Sequence, residues 1–307
     1  MTYTESVAID AVAPFSLDLS AHIFREGNPK VRSYKDGCFS QVIDVEGKLV
    51  LAKLCANGPE DKPELMLHLH ANDKLSADQA KKAEQVISYI FSLNLPLNAF
   101  YEKAKADPIM TQITQKLYGF KFPTTPTVFE ALVDAIVEQQ ISIKVARAIE
   151  DRLAQKLGQA LTVNGETFFA FPTPQLLAEA GADAIRQVGL SQRKADYIYG
   201  AAKLIVDGKL DLEHLKNHKS PEQIIAELDE IKGIGVWTAE LTMLRGMQRL
   251  DALPADDFGI RRVISRYYCG GKPINAVQAR QIAQGWGDWK GLAGFYLIIA
   301  EALNITL

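Results

Sequence analysis

The chain has 307 residues, of which 48% are hydrophobic and 23% charged, and its net charge is −3. This is the composition of an ordinary soluble globular chain of two or three domains, and it argues against a generally basic coat for nucleic acid. No apolar run reaches membrane length and the N-terminus lacks a basic-then-apolar signal, so the expected location is cytoplasmic and no membrane partner is expected. The charge is unevenly spread: residues 231–307 hold nine Lys/Arg and six Asp/Glu, leaving the excess negative charge upstream. A locally positive C-terminal segment is consistent with phosphate contacts.

Three cysteines, Cys38, Cys55 and Cys269, lie far apart in sequence and one must be unpaired. The expectation is a reduced protein rather than a disulfide scaffold. The histidines show no metal-ligand spacing; His68-Leu69-His70 reads as one face of a strand.

In chain order, residues 1–97 read as β-rich. Ser16-Leu17-Asp18-Leu19 alternates, residues 39–45 run to a Glu46-Gly47 turn, and residues 48–55 and 65–70 are further strand candidates. Ser76 then begins a helix to about Phe91, giving a small α+β unit that ends at the Asn94-Leu95-Pro96 break. Beyond it nearly everything reads as helical. Asp107-Pro108 opens a helix ending at Gly119, and residues 122–126 form a linker. Phe129, Leu132, Val133 and Ile136 line the next helix, which reaches Glu138-Gln139-Gln140. Ser142 caps another, residues 163–174 read as a loop, and residues 282–303 complete the bundle. No tandem repeat or low-complexity segment is evident.

The stretch that organises the rest is residues 228–266. Ser220-Pro221-Glu222-Gln223 opens a helix as a capping box, Ile224, Ile225 and Leu228 give it an apolar side, and Gly233 ends it. A new helix starts near Val236, so Gly233-Ile234-Gly235 is a tight turn whose N–H groups sit at a helix N-terminus, where a phosphate is attracted. Both glycines are read as free to take positive φ and to let another molecule approach closely. Some twenty residues on, Pro254-Ala255-Asp256-Asp257 opens a further helix with Asp257 at the N-cap.

The hairpin KGIGVWTA followed by Asp257-Phe258-Gly259-Ile260-Arg261-Arg262-Val263 resembles the helix-hairpin-helix DNA glycosylases, and most closely the bacterial 3-methyladenine DNA glycosylase II type. In that pattern the aspartate lies three residues before an aliphatic and five before an arginine, which Ile260 and Arg262 satisfy from Asp257 and not from Asp256. Gln139-Gln140-Ile141-Ser142 resembles the family's interhelical element whose second position enters the duplex, and residues 189–194 resemble a structural helix entry.

The resemblance implies a small N-terminal antiparallel sheet domain (1–97), then an all-α bundle (98–307) of two helical subdomains, 120–230 and 98–119 with 231–307. It implies double-stranded damaged DNA as partner, a monomer, and base excision with Asp257 as the catalytic carboxylate. Trp237, Leu241 and Trp289 are the implied base pocket, Trp286 being read as pocket or core. Lys232, Gly233, Ile234, Gly235, Thr238, Gln139, Gln140 and Ser142 are the implied DNA-binding residues. No cofactor is expected beyond a structural monovalent cation at the hairpin. The four-cysteine iron–sulfur cluster of some relatives is excluded, since only Cys269 lies in that region.

Breaking the bond from C1′ to a base nitrogen develops positive charge on the sugar, which an adjacent carboxylate stabilises. Relatives that also nick the strand carry a lysine where this chain has Trp237; without that Schiff-base nucleophile, water is expected to attack. The last helix lacks the tryptophan usual near Ala300, and Leu241 replaces a frequent aromatic. Two other functions stay open: an oxidised-guanine glycosylase of the same superfamily, and a non-catalytic damaged-DNA-binding protein.

Overall fold

The structure, a computed structural model, describes residues 2–218 and 220–307. Strand β1 (Tyr3–Ile9) and a single helical turn, α1 (Leu17–Ser20), open the chain. β2 (Arg32–Lys35), β3 (Cys38–Val45), β4 (Lys48–Asn57) and β5 (Glu64–Ala71) follow, then α2 (Ala77–Ile90). The strands form one antiparallel sheet in the order β1-β5-β4-β3-β2. The Glu46-Gly47 turn joins β3 to β4 with both residues at positive φ, 55° and 81°, as a two-residue hairpin requires.

The remaining chain is the α3 (Asn98–Ala104), α4 (Pro108–Lys116), α5 (Val128–Glu138) and α6 (Ile143–Leu157) series, a small hairpin of β6 (Ala160–Val163) and β7 (Glu166–Phe169), and eight more helices. These are α7 (Pro174–Arg186), α8 (Gln192–Val206), α9 (Leu212–Leu215), α10 (Pro221–Asp229), α11 (Val236–Met247), α12 (Phe258–Tyr268), α13 (Ala276–Ala283) and α14 (Lys290–Ala302). The protein is therefore an α+β chain, with an antiparallel sheet followed by a helical bundle.

Three large apolar cores and one small cluster account for the packing of the described residues. One lies under the sheet against α2 and ends at Leu93. A second joins α3 and α4 to α12, α13 and α14, running from Leu97 to Phe122 and again from Leu244. The third fills the space among α5 to α11. On that basis we propose these as the structural units, the third extending through α11 to Ala252, past the boundary at 230 that the sequence suggests. Helix α11 belongs to both helical cores: Ala239, Met243 and Met247 face one and Leu244 the other. Helix α5 is buried from Val128 to Val137, so it is the central strut of its half.

Several expectations are corrected. Residues 16–19 do not form a strand: Leu17 and Ser20 are buried at helical spacing, and four alternating residues are too few to separate the two periods. Strands β1 and β2 and the β6–β7 hairpin were not foreseen; β7 lies within the stretch read as a loop, and Leu161 and Val163 of β6 pack on Val42 and Leu51 of the main sheet. The final helical stretch is interrupted: a short 3-10 segment (Gln284–Trp289), itself broken at Gly287 with φ 59°, precedes α14. The expectation of reduced cysteines also fails: the β3–β4 register places Cys38 directly opposite Cys55, and the two form a disulfide. Distance in sequence hid a cross-strand pair. His68 and His70 do lie on one strand, each bonded to a hydroxyl of β1.

Candidate active site

The hairpin between α10 and α11 is set by two glycines that do different work. Gly233 has φ +91°, and a Cβ there would lie 2.2 Å from the Tyr197 ring of α8. Gly235 has φ −103° and ψ −180°, an ordinary extended conformation, with nothing within 4 Å of a Cβ. Only Gly233 uses the freedom to take positive φ; Gly235 supplies open space at the start of α11, next to exposed Lys232 and Val236. Ile234 is buried as the plug of the turn, so only its backbone can meet a ligand.

Gln139, at the end of α5, donates to Gly233 O and Thr238 Oγ1, both at 3.0 Å. Thr238 is buried and its hydroxyl is used in this way, so its part is to brace the hairpin. Lys194 of α8 donates to Val137 O at 2.7 Å and Gln139 O at 2.5 Å, satisfying the last carbonyls of α5. Gln140 is different. It is exposed, at φ 57°, in the left-handed region that non-glycine residues rarely enter. Ser142 follows as the N-cap of α6, accepting from Val145 N–H. The two glutamines thus divide into an inner brace and an outward-standing side chain.

Asp257 caps α12. Its Oδ1 accepts from Ile260 N–H at 3.0 Å, and its Oδ2 accepts from the Trp237 indole N–H at 3.2 Å. The second bond spans from the first turn of α11 to the start of α12. Gly259 makes room for the carboxylate: a Cβ there would lie 2.9 Å from Oδ1 and 3.7 Å from Ile298 Cδ1 of α14. Asp256, by contrast, is exposed and turns to Arg280 of α13 at 3.3 Å. The same guanidinium holds both oxygens of buried Glu240 and the Leu253 carbonyl, so the loop before Asp257 is clamped to α11 and α13. Arg262 pairs with Glu301 of α14.

Trp237 and Leu241 are one turn apart on α11, and Arg245 is one turn further. Arg245, the last of that row, lines a cleft enclosed by the sheet, α5, α6 and α14, with Ile143, Phe122, Phe295 and Ile298 among its apolar walls and a cavity of about 220 Å³; Trp237, Leu241 and Asp257 are not part of its lining. Ile298 lines this cavity, and its Cδ1 reaches to 3.7 Å from where a Cβ at Gly259, beside Asp257, would stand. Sequence reasoning missed it, and missed Gly259; a glycine two residues after a capping aspartate was the available signal for the latter. Trp289 is not brought to this row. It packs on Phe100 of α3, with ring centroids 5.7 Å apart, in the second helical core. Trp286 is buried and donates to Asp107 at 3.1 Å.

The arrangement offers a carboxylate fixed by two donors, an exposed turn at a helix N-terminus, and one outward side chain at Gln140. Residues 133–287 match the family described as HhH-GPD superfamily base excision DNA repair protein. A DNA-3-methyladenine glycosylase of Bacillus subtilis (strain 168) is 31% identical over 231 residues, covering 74% of this chain and 75% of its own length. DNA-3-methyladenine glycosylase 2 of Escherichia coli (strain K12) is 31% identical over 183 residues, covering 60% and 61%. The solved structure of a 3-methyladenine DNA-glycosylase from Archaeoglobus fulgidus matches with a TM-score of 0.85 at 25% identity, covering 98% of this chain and 100% of that one. An 8-oxoguanine glycosylase/lyase of Clostridium acetobutylicum, solved with double-stranded DNA, shares the fold at a TM-score of 0.75 and 20% identity over 99% of both chains. The chain belongs to the HhH-GPD superfamily of base excision DNA repair proteins.

Proposed function

We propose that the protein is a monofunctional DNA glycosylase that removes alkylated purines, of the 3-methyladenine type, from double-stranded DNA. The observation that carries this is the Trp237–Asp257 hydrogen bond. At the position where a lyase needs its lysine, an indole stands and orients the carboxylate instead, leaving water as nucleophile.

On this reading the hairpin N–H groups from Gly233 to Gly235 and Lys232 hold a phosphate, which fixes register without reading sequence. The target nucleotide is flipped out at a cost of roughly a few kcal/mol, and Gln140 fills the gap. The base enters the cleft against Trp237, Leu241 and Ile298. The bond from C1′ to the base nitrogen then breaks, its electron pair leaving with the base, so that a cationic alkylated purine departs neutral. Asp257 faces the developing sugar cation, and the attacking water adds its oxygen to C1′ and gives its proton to the carboxylate. Trp289 supports the second helical core on this reading, and the base pocket is built without it.

No cofactor enters these steps. A monovalent cation at the hairpin would have to share carbonyls already in use, since Ile231 O accepts from Ile234 N–H and Gly233 O from Gln139. We read the protein as a monomer, a single chain supplying every residue named.

Incubation with duplexes carrying 3-methyladenine or 8-oxoguanine, followed for released base and for strand breaks, tests the reading. Release of 3-methyladenine with intact strands and no borohydride-trapped adduct is expected. Release of 8-oxoguanine in preference, or a trapped covalent adduct, would replace it with the oxidised-guanine reading.

A further inference from the structure

The acidic lining of the cleft, which does not include Asp257, is left unused by the excision chemistry. Glu130, Asp134 and Glu138 recur every four residues on α5 and so form a stripe along an otherwise apolar helix. Buried charges persist only where they are matched. Arg32 of β2 bonds Glu130 at 3.1 Å and stands 4.0 Å from Asp134, while Arg245 of α11 pairs with Glu138. Helix α6 adds Glu150 and, at the rim, Arg147. Around the whole cavity six carboxylates face three guanidinium groups.

Matching is incomplete at three atoms. Gln41 Oε1, Asp134 Oδ1 and Glu150 Oε1 are buried without a hydrogen-bond partner. Gln41 and Asp134 are each 5% exposed. The three residues come from β3, α5 and α6, and all line the same cavity. Buried acceptors are nearly always paired, so three converging on one space point to a ligand. Tying the sheet to the bundle explains Arg32 and Glu130 but not these oxygens. The cavity, about 220 Å³, exceeds the roughly 30 Å³ of a single water. A metal ion does not fit, because no cluster of His, Cys, Asp or Glu among the described residues is gathered to hold one. An anion is opposed by the charge. A flat molecule presenting N–H donors and positive charge fits.

We propose that Gln41, Asp134 and Glu150 form a selectivity wall that accepts the 6-amino edge of an alkylated adenine and rejects purines bearing oxygen there. The proposal rests on the glycosylase reading, in which the base passes Ile298 into this cleft. A 6-oxo purine would set its own lone pair against the Asp134 carboxylate and leave it unpaired, which is the strongest form of rejection a polar site offers. Burial already pushes the Glu130 carboxyl up to about 8 and that of Asp134 up to about 6, so both gain from a bound cation.

The test is calorimetric titration of the full chain with free 3-methyladenine and free hypoxanthine, beside single-turnover release of the same bases from duplexes. 3-Methyladenine should bind at least about tenfold more tightly than hypoxanthine, and Asp134→Asn should bring that ratio within about threefold while binding of undamaged duplex stays unchanged. Glu150→Gln, at a half-buried position, should shift the ratio in the same direction and serves if Asp134→Asn does not fold. Equal binding of the two bases by the unmodified protein, no binding of either, or a ratio that neither variant moves would overturn the wall. No base released from any duplex, with the free-base preference intact, would support the wall and overturn the excision reading instead.

Discussion

The hairpin end and the sheet end of the site are built on opposite plans. At the hairpin end, the polar groups that build the site are held by partners: Gln139 on the turn, Lys194 on the end of α5, Trp237 and Ile260 on Asp257, Arg280 on the loop before it. At the sheet end, acids from two helices share too few arginines and three acceptors stay unpaired. The difference teaches where rigidity belongs. A carboxylate that must meet a transient cation is fixed in advance, since preorganisation is what makes electrostatic stabilisation effective. A wall that meets a ligand keeps its acceptors open until the ligand arrives.

The contrast can be broken or sharpened by substitution. The largest effect is expected at Gly233, where alanine must take positive φ and drive its Cβ into the Tyr197 ring. Gly233→Ala should cost more than about 3 kcal/mol in denaturant unfolding, combining backbone strain with overpacking. A loss below about 1 kcal/mol would show that the hairpin is looser than described.

The sheet end should reveal itself through pH. Burial raises the Glu130 carboxyl from its ordinary range to about 8, so the folded state holds a proton that the unfolded chain releases near 4.5. Its stabilising share is complete below about pH 4.5 and is lost as pH climbs through 8, on the order of a few kcal/mol in all. Glu130→Gln should flatten the fall in stability between pH 5 and 8, which thermal melts across that window would detect. An unchanged slope would mean that Arg32 keeps Glu130 ionised throughout.

A smaller effect is expected from Trp237→Phe. It keeps an apolar wall but removes the indole donor to Asp257. A hydrogen bond to a charged group contributes about 1.5–3 kcal/mol, so single-turnover release should slow on the order of tenfold or more with duplex binding intact. Equal weakening of binding and rate would make Trp237 only a pocket wall. The smallest change in stability belongs to Gly235→Ala, where the backbone is extended and the space open. It should unfold within about 0.5 kcal/mol of the parent, yet bind damaged and undamaged duplexes less tightly by the same factor. Unchanged affinity would remove the phosphate from the hairpin.

What could be read from sequence follows the same division. The Gly233–Gly235 turn, the Ser142 and Asp257 caps, and helices α5, α10, α11 and α12 were legible because each is written in a few consecutive residues. Gln139 and Gln140 were legible as a pair, though not their division of labour, which depends on one residue entering the left-handed region. The acid end was not legible. Its parts lie at positions 32, 41, 130, 134, 150 and 245, and only tertiary packing brings them together. The same holds for the Cys38–Cys55 bridge, which needs the β3–β4 register. Trp289 shows the converse risk: an aromatic at an attractive place in the sequence was assigned to the pocket, yet packing on Phe100 holds it elsewhere.

The central claim is that Asp257 is the carboxylate facing the sugar cation and not only a helix cap. Asparagine caps a helix about as well as aspartate, so Asp257→Asn separates the two roles. Single-turnover release of 3-methyladenine from a duplex should fall by about a hundredfold or more, with binding of the damaged duplex retained and melting within a few degrees of the parent. Asp256→Asn, one residue away and turned towards Arg280, should release base at nearly the parent rate. Parent-level release by Asp257→Asn, or loss of release in Asp256→Asn alone, would contradict the account.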